Sequence, residues 1–219
     1  MPDDYRKRAL EASRHDEGST KARILRAAGY LFSRKGYKET TTREISELAG
    51  VNLALVHYHW GSKEELWNAV HQQLLVEMWD FVGGLFESFP VIEDTDKLED
   101  FMYRLFDFVA DRPNMIRLMA QPGPAGRMEK WWEKAGIPLM EAGLDYLERS
   151  GDINFEPVDT RLALLCLGGS VMIFFARPEL VSVLFDEDPE NYSEDFRRSV
   201  AQALAVMMLR FARRERGQT

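Results

Sequence analysis

Apolar residues recur at helical spacing along almost the whole chain. Ile24, Ala27, Ala28, Leu31 and Phe32 follow the i, i+3, i+4, i+7, i+8 rhythm of an amphipathic helix. Ser19 or Thr20 is placed to cap it, and Gly36 to end it, because glycine takes the left-handed conformation past a helix terminus at little cost. Thr41-x-x-Glu44 has the form of a capping box and opens a second helix with Ile45, Leu48 and Ala49 facing inward. Gly50 closes it after about two turns. Asn52 caps a third short helix from Leu53 to about Trp60, which Gly61 stops. Ser62-x-x-Glu65 is a second capping box, and its helix extends to about Ser88. Two short helices joined by a glycine-containing turn form a helix-turn-helix pattern, whose second helix enters the major groove of DNA.

Beyond Ser88 the periodicity stays helical. Asp96-x-x-Glu99 is expected to cap a helix carrying Phe101, Leu105, Phe106, Phe108 and Val109. A short helix from about Asn114 to Gln121 meets a Pro/Gly break, and another spans roughly Arg127 to Ser150 with an interruption at Gly136–Pro138. Thr160 to Phe175 is apolar on nearly every side, which demands burial on two sides. "RPELVSVLF" reads as a turn or short helix. Ser193 caps a final helix that runs to about Arg214. No strand alternation of useful length and no internal repeat are found. The pattern therefore predicts an all-α chain. Residues 1–18 form a charged arm, 19–62 a three-helix domain with the helix-turn-helix, and 63–219 a larger helical body.

Charge sharpens this division. The chain of 219 residues carries a net charge of -8, which is unexpected for a nucleic-acid binder. Residues 1–63, however, hold twelve Lys/Arg against eight Asp/Glu, a balance of +4, while the remainder stands at -12. A basic front on an acidic body directs only the front at a polyanion. The N-terminus has no apolar core of a secretory signal, and no run of about 18 apolar residues spans a membrane. The single cysteine, Cys166, allows no intrachain disulfide, fits a cytoplasmic protein, and is expected to be a small core residue.

The candidate chemistry centres on "VHYHWGSKEEL", Val56 to Leu66, with its two histidines one residue apart. On a helix such positions diverge by about 200°, so His57 and His59 do not share a metal; helical ligand pairs need i, i+3 or i+4 spacing. No metal and no cofactor is expected. A DNA reading uses the same residues better. Asn52, Leu53 and Ala54 lie in the first turn, where a recognition helix meets base edges, with His57 on the same side. Tyr58 and His59 can donate to phosphate oxygens, Lys63 adds a cation, and Val56 and Trp60 form the inward stripe. The rival reading of His57 and His59 is as ordinary surface histidines.

Residues 21–66 resemble, without gaps, the DNA-binding domain of the tetracycline-repressor (TetR) family of bacterial transcription regulators, through "LFSRKGY", "TTTREISELAGV" and "VHYHWGSKEEL". The resemblance covers under a third of the chain. It implies phosphate contacts from Thr42 and Arg43, base and backbone contacts from Val51, Asn52, Leu53 and Ala54, and an aromatic-aromatic-His run supplied by His57, Tyr58 and His59. It also implies a phosphate contact from Lys63. Leu53 stands where the family often has a polar or small residue. His57 and Trp60 stand where tyrosine and phenylalanine are more usual.

For the body, the resemblance implies a small-molecule effector held among its helices and a homodimer through the last two long helices, here about 160–175 and 193–214. Both fit the two-sided apolar helix and the apolar stripe of the last one, as a C2 contact. Pocket candidates are the bulky, soft side chains Trp79, Phe101, Leu105, Met115, Leu118, Met119, Met128, Trp131, Trp132, Phe174 and Phe175, which suit an apolar or aromatic ligand and equally suit a plain core. Arg112 and Arg177 either meet an acidic group or cap carbonyls.

An enzyme finds little support. "GGSVM" at Gly168–Met172 lacks the last glycine and the preceding strand of a nucleophile elbow, and residues 72–219 hold no histidine. A helical adaptor remains the other alternative. The expectation is a homodimeric, ligand-responsive repressor of a palindromic DNA operator.

Overall fold

The computed structural model describes residues 18–92, 94–124, 133, 136–149, 153–154, 159–211 and 213–214. The expected charged arm, the opening of the helix expected at Arg127, and the pocket candidates Met128, Trp131 and Trp132 lie outside these residues. Ten helices follow in order among the described residues: α1 Thr20–Glu39, α2 Thr42–Ala49, α3 Leu53–Trp60, α4 Lys63–Ser88, α5 Thr95–Ala110, α6 Pro113–Ala120, α7 Ile137–Arg149, α8 Thr160–Ala176, α9 Pro178–Phe185 and α10 Glu194–Phe211. The protein is all-α. Among the described residues the one extended pairing is β1, Ile153–Asn154, antiparallel to β2, Arg213–Arg214. The chain divides into two compact units, Met1–Asp80 with Asn114–Gly136, and Phe81–Pro113 with Ile137–Thr219.

Local chemistry builds the first unit. Ser19 Oγ accepts from the Ala22 amide at the start of α1. Thr41 and Glu44 exchange both bonds of a capping box at α2, and Asn52 caps α3. Ser62 and Glu65 repeat the box at α4. Glu44 is drawn further by Lys35, whose Nζ lies 2.6 Å from Oε1; with the Thr41 bonds this lowers its pKa from 4.5 to about 2. Gly36 ends the first and longer helical stretch of α1, as its position implies. It breaks the helix there, at φ 77° and ψ 172°, and a last short turn continues to Glu39. Gly50 closes α2 in the left-handed conformation, and its amide bonds back to the helix.

The core of this unit gathers Ile24, Ala28, Leu31 and Phe32 of α1, Ile45 and Ala49 of α2, Val56 of α3, and Leu66, Trp67 and Val70 of α4. Leu48 was expected inside, but it is 52% exposed. In a helix of two turns the i, i+4 pair Ile45 and Ala49 takes the narrow inward stripe and leaves Leu48 outside. Leu118 of α6 enters the same core from far along the chain. Ser33 Oγ donates to Asn114 Oδ1 at 3.2 Å, fastening α6 to α1.

His71 is buried on α4, with its ring 4.3 Å from that of Trp67 and Nδ1 3.0 Å from the Trp67 carbonyl. Burial pushes its pKa below the ordinary 6.5, against the pull of the Trp67 and Leu118 backbone. The folded state thus binds this proton less readily than the unfolded one, and stability falls as pH drops below about 6.5. His71→Leu is expected to flatten that decline. Urea midpoints at pH 7.5 and 5.5 check it, and an equal acid loss in both proteins refutes it.

In the second unit α10 packs most extensively along α5, and α8 meets α7, α9 and α10. Arg197 of α10 donates from Nη1 to Asp107 Oδ1 at 2.6 Å and Asp111 Oδ1 at 2.7 Å, and from Nε to the Tyr192 carbonyl. Its nearly buried guanidinium clasps α5 to α10. The cap of α5 is Asp94, whose Oδ1 accepts from Lys97 N, and not Asp96. Both offer a carboxylate; only Asp94 has the extended backbone that a cap needs. The last helix ends at Phe211, short of Arg214, because Arg213–Arg214 pairs with β1.

Cys166 corrects another expectation. It is exposed, not core. Ala163, Leu167 and Phe175 turn α8 toward its own unit, while Leu162, Leu165, Cys166 and Ile173 face away from it. Among the described residues no single helix is long and apolar enough to cross a membrane; α8 and α9 reach that measure only together, across an 84° bend.

Candidate nucleic-acid interface

The candidate interface is built on α3 and its two flanks. Val56 is buried and Trp60 half-buried, and they anchor α3 on α1 and α2. That fixes the outward face. Leu53, Ala54, His57 and Tyr58 are exposed on it, and Tyr58 projects furthest, at 81%. His59 is half-buried, with its ring 5.0 Å from that of Tyr58. The segment is helical, so the two histidines point apart and share no ligand. His57 Nδ1 lies 3.0 Å from the Gly61 carbonyl, at the helix end.

The flanks carry the remaining candidates. Val51 is half-buried, and its amide bonds the Ser46 carbonyl across the turn. Asn52 Oδ1 accepts from the Ala54 amide at 2.9 Å, so the residue orients the helix that it precedes. Thr42 is half-buried at the start of α2, and Arg43 is exposed beside Glu47, 3.2 Å away.

Lys63 occupies a place that local pattern does not foretell. Its Nζ donates to the carbonyls of Tyr37 and Thr40 at 2.9 Å each and approaches that of Lys38. It also lies 4.4 Å from the Tyr37 ring centroid. The ammonium ties the end of α1 to the start of α4. Lys63→Met keeps the stem but leaves two half-buried carbonyls without this donor. It is expected to cost about 1–3 kcal/mol of stability. A DNA-free thermal melt reads the effect, and an unchanged midpoint removes the structural role.

Sequence reasoning missed two neighbours of this face. Lys21 Nζ lies 4.8 Å from the Trp60 ring centroid, adding a cation at the start of α1 beside α3. Leu55 is exposed on α3 at 39%. A helical wheel anchored on Val56 would have placed Leu55 outward; nothing local signals the Lys21 contact.

The described pocket candidates fall in both units. Trp79, Met115, Leu118 and Met119 belong to the first unit, with Met115 and Leu118 buried. Phe101, Leu105, Phe174 and Phe175 belong to the second, where Phe174 and Phe175 both pack on Phe106. A cleft of about 320 Å³ between α5 and α10 is lined by Asp96, Glu99, Asp100, Tyr103, Arg198, Ser199, Ala201 and Gln202, and contains none of them. Arg112 bonds the Phe108 carbonyl and Arg177 pairs with Glu179, so Arg112 takes the capping role.

Residues 24–70 match the bacterial regulatory proteins of the tetR family. The HTH-type transcriptional repressor SCO4008 of Streptomyces coelicolor is 32% identical over 108 residues, 49% of this chain and 52% of that protein. The chain spans about half the length of the curated relatives it matches. Over the whole fold, a TetR-like transcriptional regulator from Rhodococcus sp. RHA1 superposes with a TM-score of 0.65 at 19% identity, covering 90% of this chain and 99% of that one. The fatty acid degradation regulator FadR from Bacillus halodurans does so at 0.61 and 16%, covering 89% and 97%. At these identities the two structures establish a shared fold.

Proposed function

We propose that the protein is a homodimeric, ligand-responsive transcriptional repressor of the tetR family of bacterial regulatory proteins, to which residues 24–70 are similar. It is a regulator and not an enzyme, as are the relatives named above. The observation that carries the reading is α3 itself, a capped two-turn helix held by Val56 and Trp60 with its other side open, in a front of positive charge. Such a helix fits the major groove.

In this reading residues 19–62 recognise DNA, and the body over 63–219 binds effector and partner. Thr42, Arg43 and Lys63 lie at helix starts suited to phosphate. Val51, Asn52, Leu53 and Ala54 meet bases and backbone, and His57, Tyr58 and His59 complete the contact. Lys63 must then share its ammonium between the α1 carbonyls and phosphate. Two subunits joined by α8 and α10 place two α3 helices in successive major grooves, about one helical turn apart or slightly more, on a palindromic operator. The effector is apolar or aromatic, in keeping with the Met- and aromatic-rich body. It shifts the population toward a form that spreads the recognition helices, and operator affinity falls by its differential affinity for the two forms. The protein acts in the cytoplasm.

Selection of random duplex DNA on the purified protein, at a stated salt concentration, tests this reading. A palindromic motif supports a dimeric sequence reader. Recovery of no motif from folded protein overturns the unaided repressor, in favour of an adaptor or an activator that needs its ligand.

A further inference from the structure

The reading face of α3 is unusually poor in free polar groups at its first turn. Asn52 Oδ1 already accepts from the Ala54 amide. The two-pronged recognition of adenine by asparagine needs that oxygen and the amide nitrogen together. The cap takes one lone pair of that oxygen and fixes the direction of the side chain, so Asn52 is not free to turn both groups onto an adenine edge. Next come Leu53, Ala54 and Leu55, all exposed, with the two leucines at 37% and 39%. Polar groups return only with His57 and Tyr58, a turn later, and His57 Nδ1 is engaged with Gly61.

Two exposed leucines on so short a helix, in a basic domain, imply an occupant with apolar features inside a polyanion. In the major groove only one base-pair feature is apolar, the C5 methyl group of thymine. We propose that the apolar first turn of α3, with Ala54 between Leu53 on one flank and Leu55 on the other, reads thymine methyl groups, so that each half-site owes part of its specificity to apolar contact at A·T pairs. This rests on the DNA-binding reading above and adds to it the chemistry that is read. Removing a methyl from such a contact forfeits the burial of one methyl group and of the leucine surface against it, roughly a fourfold loss of affinity for each methyl.

Uracil tests this directly, because it keeps every hydrogen-bonding edge of thymine and lacks only the methyl. The probe is a duplex recovered by the selection above, with thymines replaced by uracil one at a time and binding measured with the unaltered protein. The expected result is a loss of roughly fourfold at one or a few thymines of each half-site and none elsewhere. Leu53→Ala and Leu55→Ala should bind thymine and uracil duplexes equally at the positions they touch, with the salt dependence unchanged, since no phosphate contact is removed. A bound motif indifferent to uracil at every position overturns this proposal and leaves the regulator reading standing. Failure to bind any duplex overturns both. Exposed leucines tolerate truncation, so the variants should fold, and the uracil series does not depend on them.

Discussion

Leu118→Ala is expected to destabilise the first unit by about 2–5 kcal/mol, the range for emptying a packed leucine site. Leu118 is 2% exposed and lies in the cluster formed by α1, α2, α3 and α4. Its helix cannot close over the gap freely. Asn114 holds one end of α6 to Ser33. At the other end, a Cβ on Gly123 would lie 2.9 Å from the Trp67 ring nitrogen, and one on Gly36 2.9 Å from Gln121 Oε1. The cavity would thus be lined by fixed neighbours and keep much of its volume. Chemical denaturation followed at Trp67 should show a lower midpoint with an unchanged slope. Leu48→Ala, at an exposed position, should move it by no more than about 0.5 kcal/mol. A loss for Leu118→Ala as small as that control would mean that the front core closes without α6. The same argument bears on truncation: a fragment ending at Asp80 lacks Leu118 and is expected to melt earlier than the full chain.

That residue also marks where reading the sequence stops working. The front helices were legible because their signals are local. Ser19, Thr41 with Glu44, Asn52, and Ser62 with Glu65 each act within three residues of a helix start, and each forms the bond its spacing implies. Leu118 carries no local mark of the core it joins, more than forty residues beyond Val70. The clasp of Lys63 on Tyr37 and Thr40 also joins residues far apart in sequence, so the lysine that the sequence offers as a phosphate contact is a tether in the fold as well. Asp94 and Asp96 offered the same carboxylate, and backbone conformation chose between them. Leu48 and Cys166 show the limit of periodicity. An apolar position states a preference for burial; neighbours decide whether it is met within the chain.

The exposed side of α8 supports the second large prediction. Leu162, Leu165 and Ile173 are exposed there, and Leu180, Val183, Leu184 and Phe185 on α9, while Val206 is exposed on α10. Apolar surface of this kind is costly to leave in water, and a second copy covers the part on α8 and α10 under the proposed two-fold contact. Leu165 is 64% exposed within the chain, so Leu165→Glu should fold normally as a single subunit. In an isologous contact the same substitution brings in one carboxylate from each copy, and both lose water without a partner. The variant is therefore expected to sediment as a monomer at concentrations where the parent is a dimer. Its affinity for a palindromic duplex should fall to that for a half-site, a loss of about 10²–10⁴ once the linked second contact is gone. Binding to the isolated half-site should not change, because α3 is untouched. A variant that stays dimeric with full operator affinity would place the dimer contact away from this face of α8. A monomer that still binds the palindrome as tightly as the parent would mean that the two subunits read DNA independently.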